Sequence, residues 1–60
     1  MKLTLSINFD NAAFEGSPEN EVARILLELA HEISMELRFD GKIFVLRDYN
    51  GNTVGKAVIK

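Results

Sequence analysis

The sequence predicts an α+β fold in which a strand, a helix and two further strands follow one another. Apolar residues alternate with polar ones over residues 2–9 and then recur every three or four positions over 18–37. A turn signal then separates two β-branched stretches near the end. The simplest assembly is a three-stranded antiparallel sheet of strand order 1-3-2, packed on one helix. The 60 residues form a single domain, 1–60.

The first strand and its connection to the helix predict one side of the core. Four apolar residues share one face of the strand: Leu3, Leu5, Ile7 and Phe9. This alternation is typical of an antiparallel strand with one buried and one solvated face. The connection over residues 10–16 is polar and small apart from Phe14, which we expect to fold back and close the edge of the core.

The helix begins with a recognisable N-terminal signal. Ser17 offers its hydroxyl as an N-cap, and Pro18 suits the first helical position because its missing N–H costs nothing there. Glu19 and Glu21 favour the positive end of the helix dipole. The stripe predicted to pack on the sheet comprises Val22, Ile25, Leu26, Leu29, Ile33 and Leu37.

An acidic stripe runs along another face of the same helix. Glu28, Glu32 and Glu36 follow one another at a spacing of four residues. A solvated helix face explains this pattern. The alternative is an acidic surface that mimics nucleic acid and meets a basic partner.

The end of the helix has two interpretations. Good helix formers continue through residue 36, and Gly41 is suited to a left-handed helix terminus, so we expect the helix to end near residue 36. Alternation of apolar and charged residues over 35–39, followed by Asp40-Gly41, instead favours a short extra strand.

The C-terminal hairpin also has two alternatives at its turn. A two-residue loop would place Asn50 and Gly51 both at positive φ. A type I turn that starts at Asp48, with Gly51 as a left-handed bulge, is favoured by aspartate at its first position and glycine at its fourth. In that second register Phe44, Leu46, Val54 and Val58 share one face. The other face then holds Ile43, Val45, Gly55, Ala57 and Ile59.

Both hairpin faces are apolar in either register, and one helix covers only one of them. Six hairpin residues are therefore candidates for an interface: Ile43, Phe44, Val45, Leu46, Val54 and Val58. A domain of about 60 residues is marginally stable without disulfides, and the chain has no cysteine. We expect a homodimer, or another protein partner, to cover the open face.

Charge and chemistry point away from other classes of function. Residues 37–60 hold five basic and two acidic side chains, against two basic and seven acidic over 1–36. The residues that could contact single-stranded nucleic acid are Arg38, Lys42, Arg47, Lys56 and Tyr49. The overall charge of −2 disfavours nucleic acid as the partner.

No constellation of residues predicts catalysis. His31 has no nucleophile in a recognisable setting, and the Asp48–Asn52 segment lacks the spacing of an EF-hand loop, so we expect neither enzyme activity, cofactor nor metal. No stretch approaches the roughly 20 apolar residues of a membrane span, and the first residues lack the apolar run of a signal peptide. A cytoplasmic protein is the expectation.

Two stretches, AAFEGSPENEVARILLELAHEI and LRDYNGNTVG, resemble a group of short uncharacterised proteins of phages and prophages. The resemblance covers residues 8–33 and 46–55; the segment between them differs from the more polar, glycine-rich connection of that group. It implies the same strand, helix and hairpin, and a phage accessory role without an established activity. The expected function is thus a small non-enzymatic interaction module that self-associates through its C-terminal hairpin.

Overall fold

The computed structural model describes all sixty residues. Its elements are β1 (Leu3–Ile7), a 3-10 turn (Ala12–Phe14), α1 (Pro18–Ser34), β2 (Ile43–Arg47) and β3 (Thr53–Ile59). The sheet has the order β1-β3-β2, and β3 pairs antiparallel with both neighbours. The predicted fold class and strand order are confirmed.

The hairpin turn adopts the second of the two predicted geometries. The N–H of Gly51 donates to the Asp48 carbonyl at 3.0 Å, and the N–H of Asp48 donates to the Asn52 carbonyl at 2.9 Å. Gly51 has a φ of 86°, whereas no non-glycine residue has a positive φ. These bonds define a type I turn followed by a glycine bulge, and they exclude the loop that needs Asn50 at positive φ.

A second irregularity in β3 changes which residues share a face. Leu46 lies opposite Gly55 while Arg47 lies opposite Thr53, so Val54 has no partner on β2. Such an extra residue shifts the pairing that follows by one position, and a shift of one exchanges the two faces of a strand.

The prediction that Val58 shares a face with Phe44 is therefore wrong. Phe44 lies opposite Ala57, and Ile43 lies opposite Val58. Because directly opposed residues of antiparallel strands lie on the same face, Ala57 is on the helix side and Val58 is on the outer side. Val54 is buried because the bulge turns it inward.

Gly55 is required by a close approach between strands. It lies opposite Ile7 of β1 and Leu46 of β2. A Cβ atom at this position would fall on the backbone carbonyl of Ser6. Position 55, next to the bulge at Val54, therefore requires glycine because there is no space for a side chain between the strands.

The core lies between one face of the helix and the β2–β3 half of the sheet. Phe14 of the 3-10 turn is only 3 % exposed, which confirms that it closes the core edge. The other buried apolar residues are Ala13, Ile25, Leu29, Phe44, Leu46, Val54, Ala57 and Ile59.

The prediction that the apolar residues of β1 belong to the core is correct for the side they face and wrong for how deeply they are buried. Leu3 and Leu5 lie opposite the buried Ile59 and Ala57, so they do point to the helix side. They are nevertheless 48 % and 40 % exposed, and Phe9 is 53 % exposed. A helix about 10 Å wide covers roughly two strands spaced about 4.8 Å apart, and this helix packs on β2.

The helix starts at Pro18 as predicted, but Ser17 caps it differently. The Ser17 side chain makes no capping hydrogen bond; its carbonyl accepts from the N–H groups of Asn20 and Glu21, at 3.1 and 3.3 Å.

The helix ends at Ser34, two residues before the predicted end. The Ser34 hydroxyl donates to the His31 carbonyl at 2.6 Å, a side-chain bond that competes with continuation of the helix. Residues 35–39 do not form the alternative strand. Gly41, with a φ of 78°, serves instead in the turn that leads into β2, where the Lys42 N–H donates to the Phe39 carbonyl at 3.2 Å.

Candidate functional site

The molecule exposes more surface than its size requires. Its accessible area is 4396 Å², whereas a compact monomer of 6.7 kDa exposes about 3,900 Å². Its radius of gyration is 11.8 Å, against about 10 Å for a compact chain of this length. The helix leaves two surfaces of the sheet uncovered.

The first such surface is the side of the sheet that faces away from the helix, here called the outer face. The strand register places six residues on it in two rows across the sheet: Thr4, Val58 and Ile43, then Ser6, Lys56 and Val45. Ile43 is 54 % exposed and Val45 is 47 % exposed, while Val58 is half-buried. The apolar part of the outer face thus lies along β2.

Three of the six predicted interface residues are not on this surface. Phe44, Leu46 and Val54 are 6 %, 3 % and 8 % exposed and belong to the core. They are inaccessible to a partner while the domain is folded. The candidates that remain accessible are Ile43, Val45 and, in part, Val58.

The second uncovered surface lies on the helix side of β1 and was missed from the sequence. Residues 24 and 26 project about 100° to either side of Ile25 on the helix. Because Arg24 reaches β2, Leu26 lies on the flank toward β1, where it is 39 % exposed. Phe9, Val22 and Leu26 line one depression, and Leu3 and Leu5 lie on the helix side of β1 without lining it. The β1 groove is the name used here for these five apolar residues taken together.

One end of the β1 groove is an open depression of about 480 Å³. It is lined by Phe9, Pro18, Glu19, Val22, Ala23 and Leu26. The ring of Phe9 lies 5.8 Å from that of the buried Phe14, so the depression is continuous with the core edge. The alternation of apolar and polar residues in β1 correctly predicts that Leu3 and Leu5 share one face of the strand. It does not indicate whether the helix covers that face.

The backbone of β1 is also free along one edge. The Lys60 N–H donates to the Lys2 carbonyl at 2.9 Å, and the Asn8 N–H donates to the Val54 carbonyl at 2.7 Å. Since hydrogen-bonding directions alternate along an antiparallel strand, the even-numbered residues bond to β3. The N–H and C=O groups of Leu3, Leu5 and Ile7 therefore point away from the sheet.

The opposite edge of the sheet, along β2, is protected by charged side chains. The Arg24 guanidinium donates to the Arg47 carbonyl at 3.1 Å and pairs with Glu28 at 3.0 Å. At the other end of β2, Lys42 pairs with Glu36 at 3.1 Å. Two members of the acidic stripe, Glu28 and Glu36, thus form ion pairs, and Glu32 forms none.

A buried carboxylate connects the helix to the hairpin turn. Glu21 is 7 % exposed and accepts from Arg24 Nε at 2.7 Å, from Arg24 Nη2 at 3.0 Å and from the Tyr49 N–H at 2.8 Å. The hydrogen bond from Arg24, opposed by burial and aided by the Tyr49 N–H, holds the pKa of Glu21 below its ordinary value. Glu21 and Arg24 are called the helix anchor below, because they fix the helix over β2.

Asp48 stabilises the turn in the same way. It is 4 % exposed and accepts from Asn11 Nδ2 at 2.8 Å and from the N–H groups of Asn50 and Asn52, both at 2.9 Å. Burial acts to raise the pKa of Asp48, but the hydrogen bonds from Asn52, Asn11 and Asn50 outweigh it, and the pKa lies below its ordinary value. Both carboxylate oxygens are occupied by protein donors, so Asp48 has a structural role.

His31, the residue considered for catalysis, is exposed on the last turns of the helix. Its backbone carbonyl accepts a hydrogen bond from the Ser34 hydroxyl at 2.6 Å. No cluster of three or more histidine, cysteine, aspartate or glutamate residues has the geometry of a metal site. None of the helices combines the length and the apolarity that crossing a bilayer demands.

Of the five nucleic-acid candidates, Lys42 and Arg47 line one depression beside β2, together with the acidic Glu32 and Glu36. Lys42 is paired with Glu36, Arg47 Nη1 bonds to Thr53 at 3.1 Å, and Arg38 lies in the connection after the helix.

Of the remaining two candidates, Lys56 lies on the outer face, while Tyr49 lies in the turn and is 63 % exposed. No aromatic residue lies on the outer face, so single-stranded bases have no stacking platform there.

Comparison with known proteins adds no identification. No family model, curated protein or solved structure matches the chain. The function is therefore inferred from the two uncovered surfaces.

Proposed function

We propose that this protein is a small non-enzymatic interaction module that self-associates through the outer face of its C-terminal hairpin, in an accessory role of the phage or prophage type. The observation that carries the proposal is the exposure of Ile43 and Val45, which are 54 % and 47 % exposed on a sheet with no layer over that face. The phage context is supported by the resemblance of the ARIL-ELA helix and the LRD-x-NGN-x-VG hairpin alone.

Stacking of two outer faces fits the chemistry of this surface. Paired sheets pack about 10 Å apart, with apolar side chains from each sheet interdigitating. Ile43, Val45 and Val58 supply such side chains, and Thr4 and Ser6 are small enough to lie beside them. Lys56 is the one charged residue among the six, and its aliphatic stem allows the ammonium group to reach the rim.

The direct test is the substitution Val45→Glu, with Leu27→Glu as the matched control. Leu27 is 72 % exposed on the helix, away from the outer face. The substitution Leu27→Glu therefore adds the same charge without touching the proposed contact. Sedimentation equilibrium over a range of concentrations should show at least tenfold weaker association for Val45→Glu and no change for Leu27→Glu. Equal association of both variants would overturn the outer-face contact.

A second experiment addresses the phage role. Induction of the resident prophage should raise transcription of the encoding gene together with that of flanking phage genes. Constant transcription through induction, with no phage gene beside it, would contradict the accessory role while leaving the self-association proposal intact.

A further inference from the structure

We infer that β1 is a second self-association surface, at which two copies pair their β1 strands antiparallel around a two-fold axis at Leu5. The result is one continuous six-stranded sheet with both helices on the same side. This inference rests on the proposed self-association but uses different residues, so each can fail without the other.

The free edge of β1 has no feature that prevents pairing. Natural sheets protect their edges with charged residues, prolines, bulges or a covering element. The strand Leu3–Ile7 contains no charge and no proline, and its three outward-pointing residues offer N–H and C=O groups to a partner strand. Its pairing with β3 is regular throughout.

The alternation of backbone groups fixes the register. Outward groups belong to the odd-numbered residues, so odd residues of one copy must face odd residues of the other. Among such registers, the one centred on Leu5 overlaps all five residues of the strand. It places Leu5 opposite Leu5 of the second copy, and Leu3 opposite Ile7 of the second copy.

The charges at the ends of the strand complement one another in this register. Lys2 precedes the strand and Asp10 follows it. Antiparallel pairing about Leu5 places Lys2 opposite Asn8 of the second copy, at the end of the strand that Asp10 follows. Opposite charges across a pair stabilise it, while no like charges meet.

The same arrangement reduces the exposure of the β1 groove. Leu3 and Leu5 lie on the helix side, and directly opposed side chains on one face approach to about 5 Å. Each half-exposed leucine would therefore gain an apolar neighbour from the second copy. The flank of each helix that carries Leu26 would border the shared apolar strip.

A second copy fits this edge because β1 itself has the required chemistry. The occupant must be an extended strand with alternating apolar residues, a basic N-terminal end and an acidic C-terminal end. The segment from Lys2 to Asp10 has these features.

The test uses charge complementation at Leu5. Leu5→Lys or Leu5→Glu alone places two like charges opposite each other, so each variant should associate at least tenfold more weakly than the wild type. An equimolar mixture of the two variants should regain association, because the introduced lysine and glutamate face each other. Leu27→Lys is the control for added charge and should behave as the wild type.

Each result decides between the two surfaces. Weak association of both Leu5 variants with recovery on mixing supports β1 pairing, whatever Val45→Glu does. If the Leu5 variants associate as strongly as the wild type, β1 pairing is overturned. If they associate more weakly and mixing does not restore association, the two-fold register is overturned. That second result is the one expected if something other than a second β1 strand occupies the edge. A wild-type chain that remains monomeric at millimolar concentration overturns both surfaces.

A second form of the experiment covers the case in which charge at Leu5 prevents folding. A synthetic chain with an N-methyl group on Leu5 keeps the side chain and blocks only the outward N–H. A folded, N-methylated chain with at least tenfold weaker association supports the pairing, whereas unchanged association overturns it. N-methylation of Arg47 is the matched control, because its N–H also points away from the sheet and it belongs to neither proposed contact.

Discussion

The two edges of this sheet are similar in sequence and different in protection. β1 and β2 are both five-residue strands rich in apolar side chains. The edge along β2 is bordered by the Arg24–Glu28 pair at one end and by the Glu36–Lys42 pair at the other, and Arg24 occupies the Arg47 carbonyl. The edge along β1 has no comparable cover. Protection of an edge thus depends on where the helix lies.

The helix anchor explains this asymmetry. Glu21 receives hydrogen bonds from Arg24 and from the Tyr49 N–H, and Arg24 also reaches the Arg47 carbonyl. These bonds hold the N-terminal half of the helix toward the hairpin turn. A single helix held over β2 leaves the far strand uncovered, so the same contacts that protect β2 expose β1.

The largest expected difference between the two regions is in core substitutions. Leu46→Ala on β2 should lower the free energy of unfolding by about 3 kcal/mol, because Leu46 is 3 % exposed and its removal leaves a cavity. Leu5→Ala on β1 should lower it by about 1 kcal/mol, because that side chain is already 40 % exposed. Urea denaturation of both variants at low protein concentration, where the chain is monomeric, measures the difference. Equal losses would contradict the unequal cover of the two strands.

A smaller effect is expected where β1 joins the sheet. Gly55→Ala places a Cβ on the Ser6 carbonyl and should destabilise the domain by about 2 kcal/mol by separating β1 from β3. The control, Gly41→Ala, has free space around the Cβ and only the strain of its positive φ, about 1 kcal/mol. The urea midpoints of the two variants rank them. A Gly55→Ala midpoint at or above that of Gly41→Ala would show that the close approach of β1 is not needed.

The smallest effect is expected from acid, and it tests the anchor. The pKa values of Glu21 and Asp48 are lowered in the folded state, so their contribution is complete above their ordinary values near 4 and is lost as the pH falls through the lowered values. The urea midpoint should be constant from pH 7 to 5 and then fall toward pH 2.5. The urea midpoint of Glu21→Gln should be lower than that of the wild type at pH 7 and should fall less steeply in acid. An identical slope in both proteins would show that Glu21 does not contribute to the pH dependence.

The parts of the fold that were predictable from sequence depend on local chemistry. The turn from Asp48 to Gly51 follows from aspartate as a first-position acceptor and glycine at positive φ, which are properties of neighbouring residues. Burial of Phe14 and the start of the helix at Pro18 were likewise indicated by residue type and position.

The parts that were not predictable depend on tertiary contacts. The bulge at Val54 accompanies the close approach of Ser6 to Gly55, which no pattern within the hairpin reveals. The exposure of Leu3 depends on where the helix lies, and that position is set by hydrogen bonds of Glu21 to a turn almost thirty residues away. The sequence indicates Glu21 as a favourable charge near the helix N-terminus, because periodicity does not reveal a buried acceptor.

The hairpin pattern does not indicate which of the proposed interface residues lie on the core face of the sheet and which lie on the outer face. Phe44 and Leu46 alternate with Ile43 and Val45, and both sets are apolar. The sequence therefore indicated that one face needs cover without indicating which one. The structure assigns Phe44 and Leu46 to the core and leaves Ile43 and Val45 accessible.

Amide hydrogen exchange of the two sheet edges, measured as protein concentration rises, tests the central asymmetry most directly. The outward N–H groups of Leu3, Leu5 and Ile7 should exchange quickly in dilute solution and become at least tenfold more protected as the copies pair. Those of Ile43 and Val45 gain no hydrogen bond in either proposed contact, so their protection should rise much less. Concentration-independent exchange along β1, or protection that rises equally along both edges, would contradict the account.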